Sequence, residues 1–185
     1  MRRAALGVLA AWALAAAAPS PPAPAASPTP SPPAAAPAAA PGKGSVTGLA
    51  LPRFAALRSD DVNLRVGPGT RYPIAWVYKR RGLPVEIERE FDVWRLIRDA
   101  DGTEGWVHEA TLTGRRTLVV IGAEQMLRAA PTDNAAILAR AAPGVVGRIS
   151  HCEANALWCE VQIGGYHGFL PRAAFWGSFP GEAVN

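Results

Sequence analysis

The sequence predicts an all-β fold made of two tandem copies of one small barrel. Apolar and polar residues alternate from Val62 to Val66, turn-forming residues recur roughly every eight to twelve positions, and a set of matched residues returns 62 to 64 positions further on. Helical periodicity is weak, and its best candidate is the short segment 134–141. Short strands with regular turns are typical of small barrels and sandwiches.

The internal repeat rests on pairs of similar residues that lie 62 to 64 positions apart. The pairs are Leu64-Arg65 with Leu127-Arg128, Ile74 with Ile137, Gly82-Leu83-Pro84-Val85 with Gly144-Val145-Val146-Gly147, Trp94 with Trp158, and Gly105-Trp106-Val107 with Gly168-Phe169-Leu170. The turn Gly67-Pro68-Gly69 of the first copy becomes Ala130-Pro131-Thr132 in the second. The first copy is therefore regular and the second degenerate. We attribute the glycines and the proline of the first copy to turn geometry.

Within the first copy, alternation assigns side chains to faces. One strand continues from Val85 with alternating glutamates, which we expect to lie on an exposed face: Glu86, Glu88 and Glu90. The segment from Asp99 to Gly102 predicts a hairpin turn, because Asp-Gly supplies the positive φ that tight turns need. Asp99 and Asp101 are therefore interpreted as turn residues, not as a general acid and base.

The N-terminal residues predict export. A basic start, Met1-Arg2-Arg3, precedes an apolar run from Ala4 to Ala18 with Ala-x-Ala sites, which is the order of a secretory signal peptide. The run is shorter than the roughly 20 residues that span a bilayer, so we expect membrane contact only until residues 1–18 are cleaved. Residues 19–48 are mostly Pro, Ala and Ser, and we expect them to form a disordered linker. The predicted location is the periplasm or cell envelope of a bacterium.

The charge is basic overall but does not indicate a nucleic-acid partner. The formal net charge is +4, and removal of Arg2 and Arg3 with the signal peptide leaves 17 basic against 15 acidic residues. Residues 59–114 hold 8 basic and 10 acidic residues. A protein that binds nucleic-acid phosphates gathers its cations on one surface. In the sequence only Lys79-Arg80-Arg81 cluster, and we expect no nucleic-acid partner.

The motifs of the first copy resemble the bacterial SH3-like (SH3b) domain. The residues that match in order and spacing are Asn63-Leu64-Arg65-Val66-Gly67-Pro68-Gly69-Thr70, Tyr72-Pro73-Ile74, Trp94, Asp101-Gly102 and Gly105-Trp106-Val107. The second copy is similar more loosely. The resemblance implies SH3-like β-barrels at 57–114 and 115–178, followed by a tail at 179–185. It also implies an exported protein, from a family whose members accompany cell-wall enzymes or bind peptidoglycan or proteins, without a defined set of ligand residues.

The only two cysteines, Cys152 and Cys159, predict a disulfide. Residues 146–163 are interpreted as a hairpin, so that the two cysteines face each other at a cross-strand distance that suits a disulfide. Export places them where disulfides persist. A metal site with His151 and His167 is one alternative, although it lacks the CxxC spacing of zinc sites, and a cysteine nucleophile is another. We expect neither a metal nor a cofactor.

The sequence offers no catalytic set, and we expect no enzyme. The three histidines are scattered one per hairpin, without a Ser-His-Asp or Cys-His arrangement. His108 directly follows a predicted strand, where a polar residue commonly caps the end of a barrel. A barrel of about 55 residues has little room for the deep cleft that a hydrolase needs.

The candidate ligand-binding residues are Arg65, Tyr72, Trp76 and Tyr78. The aromatic residues follow the Gly-Pro-Gly turn, and Trp76 and Tyr78 share one face of their strand. Arg65 points away from the apolar face. An aromatic platform beside a cation suits a sugar face, a peptide carboxylate or a partner protein. Ordinary packing between the two barrels would explain the same aromatic residues.

Two functional hypotheses follow. The first is a non-catalytic exported binding module that attaches to peptidoglycan or cell-wall peptides. The second is a protein–protein interaction scaffold that docks an envelope partner such as a cell-wall hydrolase.

Overall fold

The computed structural model describes residues 42–185, and the predicted signal peptide and most of the predicted linker lie outside these residues. The strands of the first half are β1 (Gly42–Lys43), β2 (Ala50–Leu51), β3 (Arg53–Leu57), β4 (Val62–Arg65), β5 (Ile74–Tyr78), β6 (Pro84–Phe91), β7 (Trp94–Arg98), β8 (Glu104–His108) and β9 (Leu112–Thr113). Those of the second half are β10 (Thr117–Val120), β11 (Gln125–Arg128), β12 (Ile137–Ala141), β13 (Val146–His151), β14 (Trp158–Ile163), β15 (Tyr166–Pro171) and β16 (Phe175–Trp176). Two short 3₁₀ turns lie at Glu109–Thr111 and Arg172–Ala174.

The predicted all-β class is confirmed. The segment 134–141 is not a helix, because its second half is strand β12, which pairs with β11. Between residues 42 and 185 the chain has no helix long and apolar enough to cross a bilayer.

The first barrel is an antiparallel sheet in the order β5-β4-β8-β7-β6-β3-β9. Alternate side chains of these strands fill its core, and the fully buried ones include Leu57, Val62, Leu64, Val85, Ile97 and Val107. The barrel begins at Arg53 and not at the predicted residue 57, because β3 pairs with both β6 and β9.

The second barrel repeats this arrangement strand for strand, in the order β12-β11-β15-β14-β13-β10-β16. The predicted tandem repeat is therefore confirmed. The predicted tail at 179–185 is part of this barrel: Val184 is buried and exchanges backbone hydrogen bonds with Cys152.

The predicted disulfide between Cys152 and Cys159 is confirmed. The register pairs His151 with Glu160, which places the two cysteines opposite each other with their Cα atoms 4.6 Å apart. Both cysteines are fully buried in the core of the second barrel. His151 and His167 are exposed, and within residues 42–185 no three His, Cys, Asp or Glu side chains lie together where they could hold a metal ion.

The prediction that the glutamates of β6 are exposed is wrong for Glu86 and Glu90, which are buried. Glu90 is covered by residues 42–48, which the sequence assigns to the disordered linker. These residues form a turn between β1 and β2, and the two strands pair with each other. The Oε2 atom of Glu90 accepts hydrogen bonds from the backbone N–H groups of Val46 and Thr47 at 3.0 and 2.9 Å. Its Oε1 atom accepts from the Thr47 hydroxyl at 2.6 Å.

The charge of Glu90 is stabilised by its partners. Burial by itself raises the pKa of this carboxyl group. The hydrogen bonds from Thr47 and Val46 and the ion pair with Arg53, at 2.8 Å, outweigh the burial and lower the pKa to about 2. Glu90 therefore holds the turn at 42–48 against the first barrel as an ionised group.

We expect Glu90→Gln to lower the free energy of unfolding by about 2 kcal/mol at neutral pH, because hydrogen bonds to a charged acceptor become bonds to a neutral one. The folded-state pKa of about 2 lies below the ordinary value of 4.5. The contribution of Glu90 is therefore fully present above about pH 4.5 and is lost as the pH falls toward 2. Urea unfolding at several pH values between 2 and 7 measures both effects.

The matched control is Glu88→Gln, which changes a half-buried carboxylate of the same strand that binds Arg98. We expect it to cost less than about 1 kcal/mol and to retain the acid-dependent loss of stability. If the stability of Glu90→Gln falls with decreasing pH as much as that of the unchanged protein, the assignment of this acid-dependent loss to Glu90 is wrong.

Candidate functional site

Arg65 closes the loop that follows β4. Its Nη1 atom donates to the carbonyl oxygens of Thr70 and Tyr72 at 3.1 and 2.7 Å. In the second barrel, Nη1 of Arg128 donates to the carbonyl oxygen of Ala135 at 2.9 Å. The acceptor follows the arginine by seven residues in both barrels, since Tyr72 follows Arg65 by the same number. This repeated contact gives the arginine a role in positioning the loop, and its role in ligand binding stays a prediction.

The ring of Tyr72 packs directly on Gly67. A Cβ atom added at Gly67 would lie 2.5 Å from Cδ1 of the ring, which no real side chain allows. Gly67 does not have a positive φ, so the reason for this glycine is the close approach of the ring and not the turn geometry expected from sequence. The second copy has Ala130 and Ala135 at the corresponding positions, and without a ring the alanine fits.

Of the predicted ligand-binding aromatics, Trp76 is exposed and Tyr78 is not. Trp76 is 57% exposed, whereas Tyr78 is 5% exposed and belongs to the core of the first barrel. The Tyr78 hydroxyl donates to Oδ2 of Asp99 at 2.9 Å. Burial raises the pKa of Tyr78 well above its ordinary value, and so does the bond to Asp99. The placement of Tyr78 on a ligand-facing surface is therefore wrong.

Asp99 and His108 have the structural roles that the sequence predicts. Oδ1 of Asp99 accepts from the backbone N–H groups of Asp101 and Thr103 at 3.0 and 2.8 Å, which forms the hairpin turn. Nδ1 of His108 accepts from the N–H of Ala110 at 3.1 Å and caps the 3₁₀ turn after β8.

Four apolar residues on or beside the edge strand β5 are exposed, namely Val66, Ile74, Trp76 and Val77, and we call this set the edge patch. β5 is the last strand of the sheet order on this side, so one row of its backbone N–H and C=O groups has no strand of residues 42–185 beside it. An exposed apolar edge of this kind is open to pairing with another chain.

The two barrels are joined through Phe54 on β3. Its ring lies 4.7 Å from that of Trp176, at an interplanar angle of 84°, and 4.6 Å from that of Phe179. The guanidinium of Arg116 lies 5.6 Å from the centre of the same ring. Ala55 and Leu57 alternate with Phe54 and face the core of the first barrel, so β3 is buried on both sides.

The same contact explains why Glu86 is buried. Glu86 pairs with Phe54 across β3 and β6 and with Arg98 across β6 and β7, so the three side chains share the outer face that the second barrel covers. Burial raises the pKa of Glu86, and the guanidinium of Arg98, 2.6 Å away, partly offsets the effect. The sequence could not indicate this, because the covering residues are about 90 positions away.

A cleft with a volume of about 1140 Å³ lies where the two barrels meet, and we call it the aromatic cleft. Its lining is mostly apolar. Leu51 and Pro52 precede the first barrel, Phe54, Glu86 and Arg98 belong to it, and the second barrel contributes Leu157, Trp158, Trp176, Phe179 and Pro180, among others. Leu157 is 80% exposed and is the most exposed of the large apolar residues that line the cleft. None of the four residues predicted to bind ligand lines this cleft.

The arrangement of strands and motifs matches a known family. A family model described as the bacterial SH3 domain matches residues 58–114 and 122–177. The chain belongs to this family. Bacterial SH3 domains are generally non-catalytic binding modules and usually occur in extracellular or envelope proteins.

Comparisons beyond the family model are distant. No curated protein matches the chain. Two solved structures are similar to part of this bacterial SH3 chain, both from Trichomonas vaginalis. NlpC2 is 13% identical over 68% of this chain and 48% of its own, and NlpC1 is 12% identical over 72% of this chain and 48% of its own, each with a TM-score of 0.31. This chain spans about half the length of each.

The packing of Tyr72 on Gly67 predicts a coupled pair of substitutions. We expect Gly67→Ala to destabilise the first barrel by about 2 kcal/mol, because the added methyl group displaces the ring. In the double variant Gly67→Ala/Tyr72→Ala, which copies the second barrel, the methyl group no longer meets a ring. The double variant should therefore be more stable than the sum of the two single effects predicts, by about 1 kcal/mol or more, in urea unfolding. Additive effects would show that the two residues are not coupled.

Proposed function

We propose that this protein is an exported, non-catalytic binding module of the cell envelope that attaches to peptidoglycan through the aromatic cleft. The observation that carries the proposal is the cleft itself. It exists only because two bacterial SH3 barrels pack against each other, and it exposes aromatic and aliphatic side chains from both.

The chemistry of the cleft suits a glycan with attached peptides. Tryptophan and phenylalanine rings provide flat apolar faces for sugar rings and aliphatic side chains. The lining also contains two carboxylates, Glu86 and Asp133, and two guanidinium groups, Arg98 and Arg172, and polar groups in a cleft fix the orientation of a ligand. Peptidoglycan peptides carry both amines and carboxylates, which charged groups of both signs recognise.

Export and lack of catalysis complete the proposal. The basic start and apolar run of residues 1–18 favour secretion, and the Pro/Ala-rich residues that follow suit a tether. Within residues 42–185, His108 caps a turn and Asp99 bonds to Tyr78 and to turn N–H groups, so both are committed to the fold. Arg65 and Tyr72 are proposed as secondary contacts only, since both serve the loop.

The edge patch favours a second candidate function, the docking of an envelope protein such as a cell-wall hydrolase. A partner strand that pairs with β5 would satisfy the free backbone groups and cover the indole of Trp76. In this candidate the scaffold binds protein and not wall polymer.

Sedimentation with purified peptidoglycan sacculi tests the proposal. We expect Leu157→Glu and Ala173→Glu to weaken binding at least about tenfold, because each places a charge on an exposed apolar position of the cleft. Trp76→Ala is the matched control: it removes an exposed indole outside the cleft and should leave binding unchanged.

The opposite result, in which Trp76→Ala abolishes binding and the cleft variants retain it, would move the site to the edge patch. If the unchanged protein does not sediment with sacculi, peptidoglycan attachment is wrong. Retention of a purified envelope hydrolase by the unchanged protein but not by Trp76→Ala would then favour the scaffold.

A further inference from the structure

A second concave site between the barrels is lined by arginines. This groove has a volume of about 480 Å³, and its lining includes Arg58, Arg81, Arg115 and Arg148 together with Ala56, Leu57, Gly82, Thr113, Thr117, Val146 and Gly147. The lining contains no Asp or Glu. All four arginines are exposed. We call this site the arginine groove.

Residues 42–185 contain 17 Lys and Arg residues. The arginines of the groove differ from most of the others in their contacts. Six form ion pairs with carboxylates: Arg53, Lys79, Arg95, Arg98, Arg116 and Arg140. Three donate to backbone carbonyls, namely Arg65, Arg128 and Arg172, and two lie over aromatic rings, namely Arg71 and Arg89.

The remaining six have no such partner among the described residues, and four of them line the groove. Arg80 is a fifth: its Nη1 atom comes within 4.0 Å of the position that a Cβ on Gly144 would take, so it reaches from the first barrel to the second. The sixth is Lys43, which belongs to β1. Five arginines that form no ion pair within the described residues therefore lie at one junction between the barrels.

Among residues 42–185, no carboxylate forms an ion pair with an arginine of this cluster. Asp60 lies close to it, but its Oδ1 atom accepts from the backbone N–H of Arg81 at 3.3 Å and pairs with no guanidinium of the described residues. Residues 1–41 contain no Asp or Glu. Like charges that are brought together destabilise a fold unless an anion accompanies them. The arrangement indicates an anion supplied by another molecule.

We propose that the arginine groove binds a ligand that carries closely spaced phosphate groups. Arginine presents several N–H donors in a planar fork that matches phosphate oxygens. A diphosphate places more negative charge in a small volume than carboxylates spaced along a peptide do, and the groove combines high charge with small volume. This site and its ligand class are separate from the aromatic cleft and from the proposed attachment to peptidoglycan.

The floor of the groove is built from small residues. Gly147 is the small residue on the side of the second barrel. Ala56 and Gly82 are the small residues on the side of the first barrel. The cations are confined to one groove and do not form a stripe across the surface, so a compact phosphate ligand is favoured over a nucleic acid.

Isothermal titration with inorganic pyrophosphate tests the proposal. We expect saturable binding that Arg58→Ala/Arg148→Ala, with one substitution in each barrel, weakens at least about tenfold. The matched control is Arg71→Ala/Arg140→Ala, which removes the same charge from exposed positions outside the groove and should bind pyrophosphate like the unchanged protein. Unchanged binding by Arg58→Ala/Arg148→Ala would overturn the site.

Other probes define the ligand class. Citrate binding as tight as that of pyrophosphate would overturn the preference for phosphate, and tighter binding of a single-stranded DNA oligonucleotide would reassign the groove to nucleic acid. Binding to vesicles of phosphatidylglycerol, compared with binding to vesicles of phosphatidylcholine, distinguishes a lipid phosphate from a soluble one. If the unchanged protein binds the phosphatidylglycerol vesicles and Arg58→Ala/Arg148→Ala does not, the phosphate is that of a lipid headgroup. Pyrophosphate binding without vesicle retention identifies a soluble ligand.

The test of phosphate binding by the arginine groove can fail independently of the test of peptidoglycan attachment. Arg58→Ala/Arg148→Ala should sediment with sacculi like the unchanged protein, and Leu157→Glu should bind pyrophosphate like the unchanged protein. Loss of both activities in either variant would mean that the two sites are not separate, and would overturn the assignment of the groove as a distinct site.

Discussion

The contact of Phe54 with Trp176 and Phe179 determines how the two barrels form one structure. It buries the outer face of β3, which in an isolated barrel would be exposed. Because β3 runs along this contact, its two ends reach two different concave sites. Pro52 and Phe54 line the aromatic cleft, whereas Ala56 and Arg58 line the arginine groove. Neither site would exist in a single copy of the domain.

Features that depend on neighbouring residues of one barrel could be predicted from the sequence. The alternation around Leu64, the Asp-Gly turn and the hairpin that pairs Cys152 with Cys159 each need only local spacing. Glu86 and Glu90 could not be predicted, because the residues that cover them come from the second barrel and from the turn at 42–48. The candidate sites were missed for the same reason. Leu157 and Arg148 are ordinary surface residues until the other barrel is placed beside them.

Comparison of the two barrels distinguishes residues that both copies retain for the fold from residues that differ between them. The arginine that binds a carbonyl seven residues on is present in both, as Arg65 and Arg128. Gly105 and Gly168 are also both retained, since a Cβ at either would meet the backbone oxygen of that arginine. Gly67 and Tyr72 are replaced together by alanines. Gly67 is therefore explained by the packing of one ring, and its replacement in the second barrel does not imply loss of the fold.

The two concave sites differ in how their charges are balanced, and this separates their chemistry. In the aromatic cleft Arg98 forms ion pairs with Glu86 and Glu88 and the lining is mostly apolar, which suits an apolar or zwitterionic ligand. In the arginine groove Arg58 and its neighbours form no ion pair with a carboxylate of residues 42–185, so an apolar ligand would bury uncompensated cations. A ligand that suits one site is therefore excluded from the other, and a protein tethered at the wall through its cleft would keep the groove free for an anion.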